Sequence, residues 1–180
     1  MIETEQTVLI RTPIDRAWDY ARDIRRWAEL VPGMQSCDVI DEHDSRWVVK
    51  VGVGGLVRTV TVDVHVDRWA GPEAVDFSYK LKGDPVTGGG SYRASSVPEG
   101  TSLALGLRVQ GSGPMAPMWE AMGRPLLPEL AKGFAEQLRA GIEAEAGVIT
   151  AQEAAAARMS FWAILKAWLR RLFSMGERTA

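Results

Sequence analysis

From Gly33 to about Val109 apolar and polar residues alternate with a period of two, and on either side of that stretch they recur at the helical spacing of about 3.6. The alternation is cleanest at Val60, Val62, Val64 and Val66, with Thr59, Thr61, Asp63, His65 and Asp67 opposite them. Trp47, Val49, Val51 and Val53 repeat it, as do Val75, Phe77, Tyr79 and Leu81, then Tyr92 to Ser96, then Leu103, Leu105, Leu107 and Val109. Turn residues at Glu42-His43-Asp44, Gly54-Gly55, Gly71-Pro72, Gly83-Asp84-Pro85 and Pro98-Glu99-Gly100 separate these runs. Strands at such spacing, each with one apolar face, predict an antiparallel meander.

Before the meander, Thr7–Arg11 make a short strand and Thr12-Pro13-Ile14-Asp15 start a helix, with Thr12 as cap and Pro13 at the first helical position. Ile14, Ala17, Trp18 and Ala21 supply its buried stripe. A second short helix from Asp23 carries Trp27 and Leu30 and ends at Pro32-Gly33. After the meander, Ala116–Ala146 read as a long helix with Leu127, Leu130, Ala131, Phe134, Leu138 and Ile142 on one face, and Gly123 and Pro125 are expected to bend or break it. That face must cover one side of the sheet, so the fold class is α+β, a curved sheet of about seven strands wrapped on a long C-terminal helix.

A small-residue linker, Gly147–Ala157, leads to a tail helix over Arg158–Met175. At about 100° per residue, Phe161, Trp162, Leu165, Trp168, Leu169, Leu172 and Phe173 share one half of this helix, and Arg170 lies on the other. Lys166 and Arg171 fall at the borders, where long cations lay their methylenes on apolar surface and keep their charge in water. Two Trp, two Phe and a basic rim fit a helix lying in a membrane interface; a helix packed on the body or on a partner protein is the alternative. Residues 148–180 hold five Lys/Arg against two Asp/Glu and residues 1–147 sixteen against twenty-one, so the overall charge of −2 conceals a basic tail on an acidic body.

With 180 residues and 46% apolar content, the chain can build one domain with a sizeable core and an appendage. Met1–Gln6 show no basic segment followed by an apolar run, so no secretory signal is read there and a cytoplasmic location is expected, with the tail holding the protein peripherally on the inner face of the cell membrane. The acidic body argues against nucleic acid, and Arg25-Arg26, Lys80 and Lys82 read as solvated faces. One cysteine, Cys37, excludes an internal disulfide and fits a small strand hydrophobe better than a nucleophile. The two histidines, His43 in a turn and His65 on a strand's polar face, are set apart and offer no imidazole-rich metal site. Gly88-Gly89-Gly90 lacks the Lys-Ser/Thr and helix of a phosphate loop, and reads as a flexible strand entry or bulge.

The order of strand, two short helices, six strands and one long helix resembles the START-like, or helix-grip, SRPBCC superfamily. Pro13-Ile14-Asp15-Arg16-Ala17-Trp18 is similar to its helix entry, and Trp27 through Pro32-Gly33 to its passage into the second strand. Pro32-Gly33, Val51-Gly52-Val53, Gly88-Gly89-Gly90-Ser91 and the appended tail resemble the CoxG family of carbon monoxide dehydrogenase accessory proteins. Val31 and Gly113-Pro114-Met115-Ala116 depart from the CoxG pattern and leave a general lipid- or polyketide-binding relative open.

The resemblance implies an apolar cavity between sheet and long helix. Its candidate wall is Trp18 and Trp27 from the short helices, Val49, Val51, Val62, Val64, Phe77, Tyr79 and Tyr92 from the strands, and Met115, Met118, Trp119, Met122, Leu127 and Phe134 around the long helix. Flexible methionines suit varied apolar ligands, or simply fill gaps in a core. The resulting expectation is a non-catalytic binder of quinone or lipid, menaquinone among them, with no cofactor or metal of its own. It would be a membrane-attached accessory of a CO dehydrogenase or related molybdenum hydroxylase. Two alternatives stand beside it: a polyketide cyclase or aromatase acting in the same cavity, with Arg108 the residue to test, and a scaffold binding a partner protein by its tail.

Overall fold

The computed structural model describes residues 1–31, 33–53, 56–114 and 116–159, except for the side chains at 51–53, 56–58, 118, 119, 122 and 126. The positions expected to line a cavity at Val51, Met115, Met118, Trp119 and Met122, and the tail from Phe161 to Phe173, lie outside what is described. The elements are β1 (Ile2–Ile10), α1 (Ile14–Ala21), α2 (Ile24–Leu30), β2 (Met34–Val39), β3 (Asp44–Val53), β4 (Leu56–Ala70), β5 (Ala74–Leu81), β6 (Val86–Val97), β7 (Gly100–Gly111) and α3 (Ala116–Glu145).

All seven strands form one antiparallel sheet in the order β1-β7-β6-β5-β4-β3-β2. Hairpins join β2 through β7, and β1 closes the series by pairing with β7, from Ile2 opposite Val109 to Ile10 opposite Thr101. Strand β1 starts five residues before the expected Thr7: Glu3-Thr4-Glu5-Gln6 alternates in exposure and pairs with β7, but carries no apolar side chain to reveal the alternation in the sequence. The inner face of the sheet and α3 enclose the core, where Ile10, Tyr20, Val66, Val75, Leu103, Leu138 and Ile142 pack with α1 and α2. This is the helix-grip architecture, an α+β fold.

Helix α3 runs unbroken through Gly123, Pro125 and Pro128. Gly123 sits so close to β1 and β7 that a Cβ there would lie 2.8 Å from Ile2 Cδ1, and this close seating holds the proline-containing half on the sheet. At the other end Gly147, at φ +73°, closes α3 with the paired bonds of a Schellman motif, from the N–H of Val148 to Glu143 and of Gly147 to Ala144.

Two local expectations change. Thr12 does not cap α1: Pro13 takes the N-cap position, while Thr12 is buried and its carbonyl accepts a 2.7 Å bond from Thr101 Oγ1. Residues 151–159, inside and just past the expected linker, are helical. Thr150 and Glu153 form a capping box there, with Thr150 N–H donating to Glu153 Oε2 at 2.7 Å and Glu153 N–H to Thr150 Oγ1 at 3.2 Å.

Candidate functional site

Between α2, the inner face of β3–β5 and the middle of α3 lies a cavity of about 280 Å³. Helix α2 contributes Ile24, Trp27 and Leu30, with Val31 following it. Asp23 caps that helix by accepting from the Arg25 N–H at 3.0 Å, which fixes the angle at which Trp27 enters. Strand alternation then supplies Trp47 and Val49 from β3, Val60, Val62 and Val64 from β4, and Phe77, Tyr79 and Leu81 from β5. Leu107 of β7 and Leu130 and Phe134 of α3 complete the wall.

No carboxylate, amide, imidazole or cation stands on the described wall. Its three polar side-chain atoms already have partners within the protein. Trp27 Nε1 donates to the Ala21 carbonyl at 2.6 Å, Trp47 Nε1 to Ser45 Oγ at 3.0 Å, and the Tyr79 hydroxyl to the Arg108 carbonyl at 3.0 Å. Burial pushes the Tyr79 phenol up to about 12, so it holds its proton at neutral pH. A polar ligand group carried into this space would lose its water and meet no free side-chain donor or acceptor among the described residues, which costs on the order of 1–3 kcal/mol per group.

Of the expected wall residues, Trp27, Val49, Val62, Val64, Phe77, Tyr79 and Phe134 stand around this space together. Trp18, Tyr92 and Leu127 do not. Trp18 packs on Gly71, where a Cβ would fall 1.9 Å from its ring, and stacks edge-on to Trp69 at 5.9 Å. Tyr92 is fully buried between Trp18 and Trp27, its hydroxyl without a partner among the described residues, and burial raises it to about 12. Leu127 is buried on α3 one turn before Leu130. Val60, Trp47, Leu81 and Leu107 belong to the same alternating sets as the expected residues, so their register was the signal that could have found them.

The other candidate chemistries lie elsewhere. His43 and His65, expected apart, are brought together by the β3–β4 pairing, with rings stacked 5.9 Å apart at 29°. His43 Nδ1 bonds the Val66 carbonyl at 2.7 Å and His65 Nδ1 bonds Asp44 Oδ1 at 2.9 Å. The Asp44 bond lifts the His65 pKa above the ordinary histidine value. Among the described residues no group of three or more His, Cys, Asp or Glu is placed to hold a metal ion. Cys37, half-buried in β2, has its thiol pKa raised by desolvation, the opposite of an activated nucleophile. The Arg108 guanidinium lies over Gly89 on the sheet face opposite the cavity. Among the described residues no helix is long and apolar enough to cross a membrane.

A family model described as polyketide cyclase / dehydrase and lipid transport matches residues 1–144. The fold is similar to that of a conserved protein from Geobacillus kaustophilus, at 14% identity and a TM-score of 0.67, covering 78% of this chain and 95% of that one. It is also similar to the Zhui aromatase/cyclase from Streptomyces sp. R1128, at 17% identity and a TM-score of 0.54, covering 83% and 97%. Likewise similar is the di-domain ARO/CYC StfQ of the steffimycin biosynthetic pathway, at 14% and 0.61, covering 81% of this chain and 52% of that one. No curated protein matches the sequence. Identities this low carry the fold and leave the chemistry to the site.

Proposed function

We propose, for a chain that belongs to the polyketide cyclase/dehydrase and lipid transport family, that it binds an apolar small molecule, or the apolar end of a larger one, and releases it unchanged. The observation that carries this reading is the cavity's described wall: every polar side-chain atom on it is already hydrogen-bonded inside the protein. Cyclisation of a polyketide needs donors and bases aimed at carbonyl oxygens and acidic carbons. A wall of Val, Leu, Ile and aromatic side chains supports holding a ligand and gives such chemistry no handle.

The ligand class is quinone-like or lipid-like, menaquinone included. At about 280 Å³ the space lies just below the usual range of roughly 300–1,000 Å³ for ligand pockets, so a long isoprenoid or acyl chain enters by one end. The tail over residues 158–175 delivers that ligand at the inner surface of the cell membrane, with Phe161, Trp162, Trp168 and their leucine neighbours inserted and Lys166, Arg170 and Arg171 on the phosphates. The motifs shared with CoxG extend the reading to a recruitment factor for a molybdenum hydroxylase that passes electrons to quinone.

Titration of the full-length protein with menaquinone, ubiquinone and fatty acids, followed by quenching of the tryptophan fluorescence to which Trp27 and Trp47 contribute, tests this. Saturable binding with Kd near 1 µM, about −8 kcal/mol, is expected, with each ligand recovered unaltered. Absence of saturable binding for all of them sinks the carrier reading. Conversion of a linear poly-β-ketone to a cyclised product replaces it with the enzyme.

A further inference from the structure

We infer that Gly88 and Gly90 set the depth of the cavity by letting the rings of Tyr79 and Phe77 lie across β6, so that these two pairs select the length of apolar ligand accepted. This rests on the cavity being the binding site.

In the β5–β6 register Tyr79 stands opposite Gly88 and Phe77 opposite Gly90, with all four on the inner face. The Tyr79 hydroxyl donates to the carbonyl of Arg108, a residue not of β6 but of β7, so its ring spans the intervening strand. It passes over Gly88, where a Cβ would lie 2.3 Å from both Cζ and the hydroxyl oxygen. Phe77 repeats the arrangement one inward position along: a Cβ on Gly90 would lie 2.5 Å from its Cζ. Its ring meets the edge of Trp27 at a centroid distance of 5.9 Å. Real Cβ atoms do not approach other atoms so closely, so a side chain at either glycine must displace the opposing ring from β6 and also part from a β7 carbonyl, that of Arg108 or of Gly106, which it would meet at 2.4 Å. The cavity lies on that side, bounded by these two rings.

Glycine in a strand interior gives up side-chain packing and conformational restriction, and marks a place where another group must come close. Here that group is an aromatic ring that would otherwise stand up into the binding space. The flanking Gly89 differs, since its missing Cβ points to the outer face beneath the Arg108 guanidinium.

The test uses the full chain and a homologous series of saturated fatty acids, octanoate through stearate, measured by displacement of 1-aminoanthracene. Phe77→Ala removes the ring and is expected to raise the ratio of stearate to octanoate affinity by at least about tenfold, the effect of roughly one methylene's fit in an apolar pocket. Gly90→Ala is expected to lower that ratio and, in its crystal structure, to show the Phe77 ring displaced toward α3. Because the added Cβ also falls 2.4 Å from the Gly106 carbonyl, Gly90→Ala can fail to fold, and Phe77→Ala then decides alone. An unchanged ratio in a folded Phe77→Ala variant that still binds overturns the depth assignment and leaves the carrier reading standing. Wild-type protein that binds no member of the series also overturns the length assignment, and the carrier reading falls with it only if menaquinone and ubiquinone fail to bind as well.

Discussion

Replacing Glu143 with Gln should destabilise the fold by about 2 kcal/mol at neutral pH, and the loss should vanish in acid. The Glu143 side chain, on the last turns of α3, is 0% exposed. It accepts from the backbone N–H of Arg11 at 2.9 Å, from Arg11 Nε at 3.3 Å and Nη2 at 3.2 Å, and from Arg139 Nη1 at 3.2 Å. One carboxylate thus ties the end of β1 to the C-terminal part of the helix that lays Leu130 and Phe134 over the cavity. Glutamine keeps one acceptor for the Arg11 N–H and turns an amide donor toward guanidinium donors. Hydrogen bonds to charged groups contribute about 1.5–3 kcal/mol each, but both arginines reach water and recover much of that when freed, so the net figure is about 2 kcal/mol. For a chain of this size that lowers Tm by roughly 4–8 °C. Desolvation pushes the Glu143 pKa up, and the hydrogen bonds from Arg11 with the charges of Arg139 and Arg11 outweigh it, leaving the pKa below the ordinary glutamate value. A depressed folded pKa gives stability that is complete above the unfolded value of about 4.3 and is lost as pH falls through the folded one. Calorimetric unfolding of both proteins should therefore show a constant gap from about pH 8 to 5.5 that closes below about pH 4. Equal Tm values at pH 7, or a gap that persists undiminished at pH 3, would refute the reasoning.

Three further outcomes are expected. Thr150→Ala removes the capping box and should cost the helical segment 151–159 about 1 kcal/mol, seen as faster amide exchange there with the Tm of the body unchanged; unaltered exchange contradicts it. On vesicles, three tail cations supply only about 3 kcal/mol before screening, whereas each inserted leucine or aromatic contributes about 1.5–3, so Trp168→Glu should abolish co-sedimentation at any salt. Lys166→Gln with Arg170→Gln should weaken it on anionic vesicles alone, and the reverse pattern sinks the interfacial reading.

The sheet was legible because its outer face is solvated: Thr59, Thr61, Asp63 and His65 mark the valines between them as inward, and that pattern survives any tertiary arrangement. Long-range contacts overrode local signals elsewhere. Thr12 has the chemistry of a cap, yet Thr101, distant in sequence, claims its carbonyl and buries it. His43 and His65 meet only because β3 pairs with β4 in the register that sets Asp44 opposite His65. The capping box at Thr150 was written in the sequence but obscured by the alanine run behind it.

The cavity is the instructive case, because apolar periodicity marks the inner face and is silent on which inward residues pack and which leave space. Trp18 and Tyr92 carry the same signature as Trp27 and Phe77, and all four pack in or against one core, yet only Trp27 and Phe77 also line the cavity. What separates them is the absence of side chains at particular positions. Gly71 receives the Trp18 ring, whereas Gly88 and Gly90 receive Tyr79 and Phe77 across a strand and so clear the space above it. A glycine run in a strand reads from sequence as weakness or a bulge. Its meaning depends on the residue directly opposite in the neighbouring strand, so register has to be known first, and an aromatic residue set opposite each inward glycine is the pattern that marks a cavity floor.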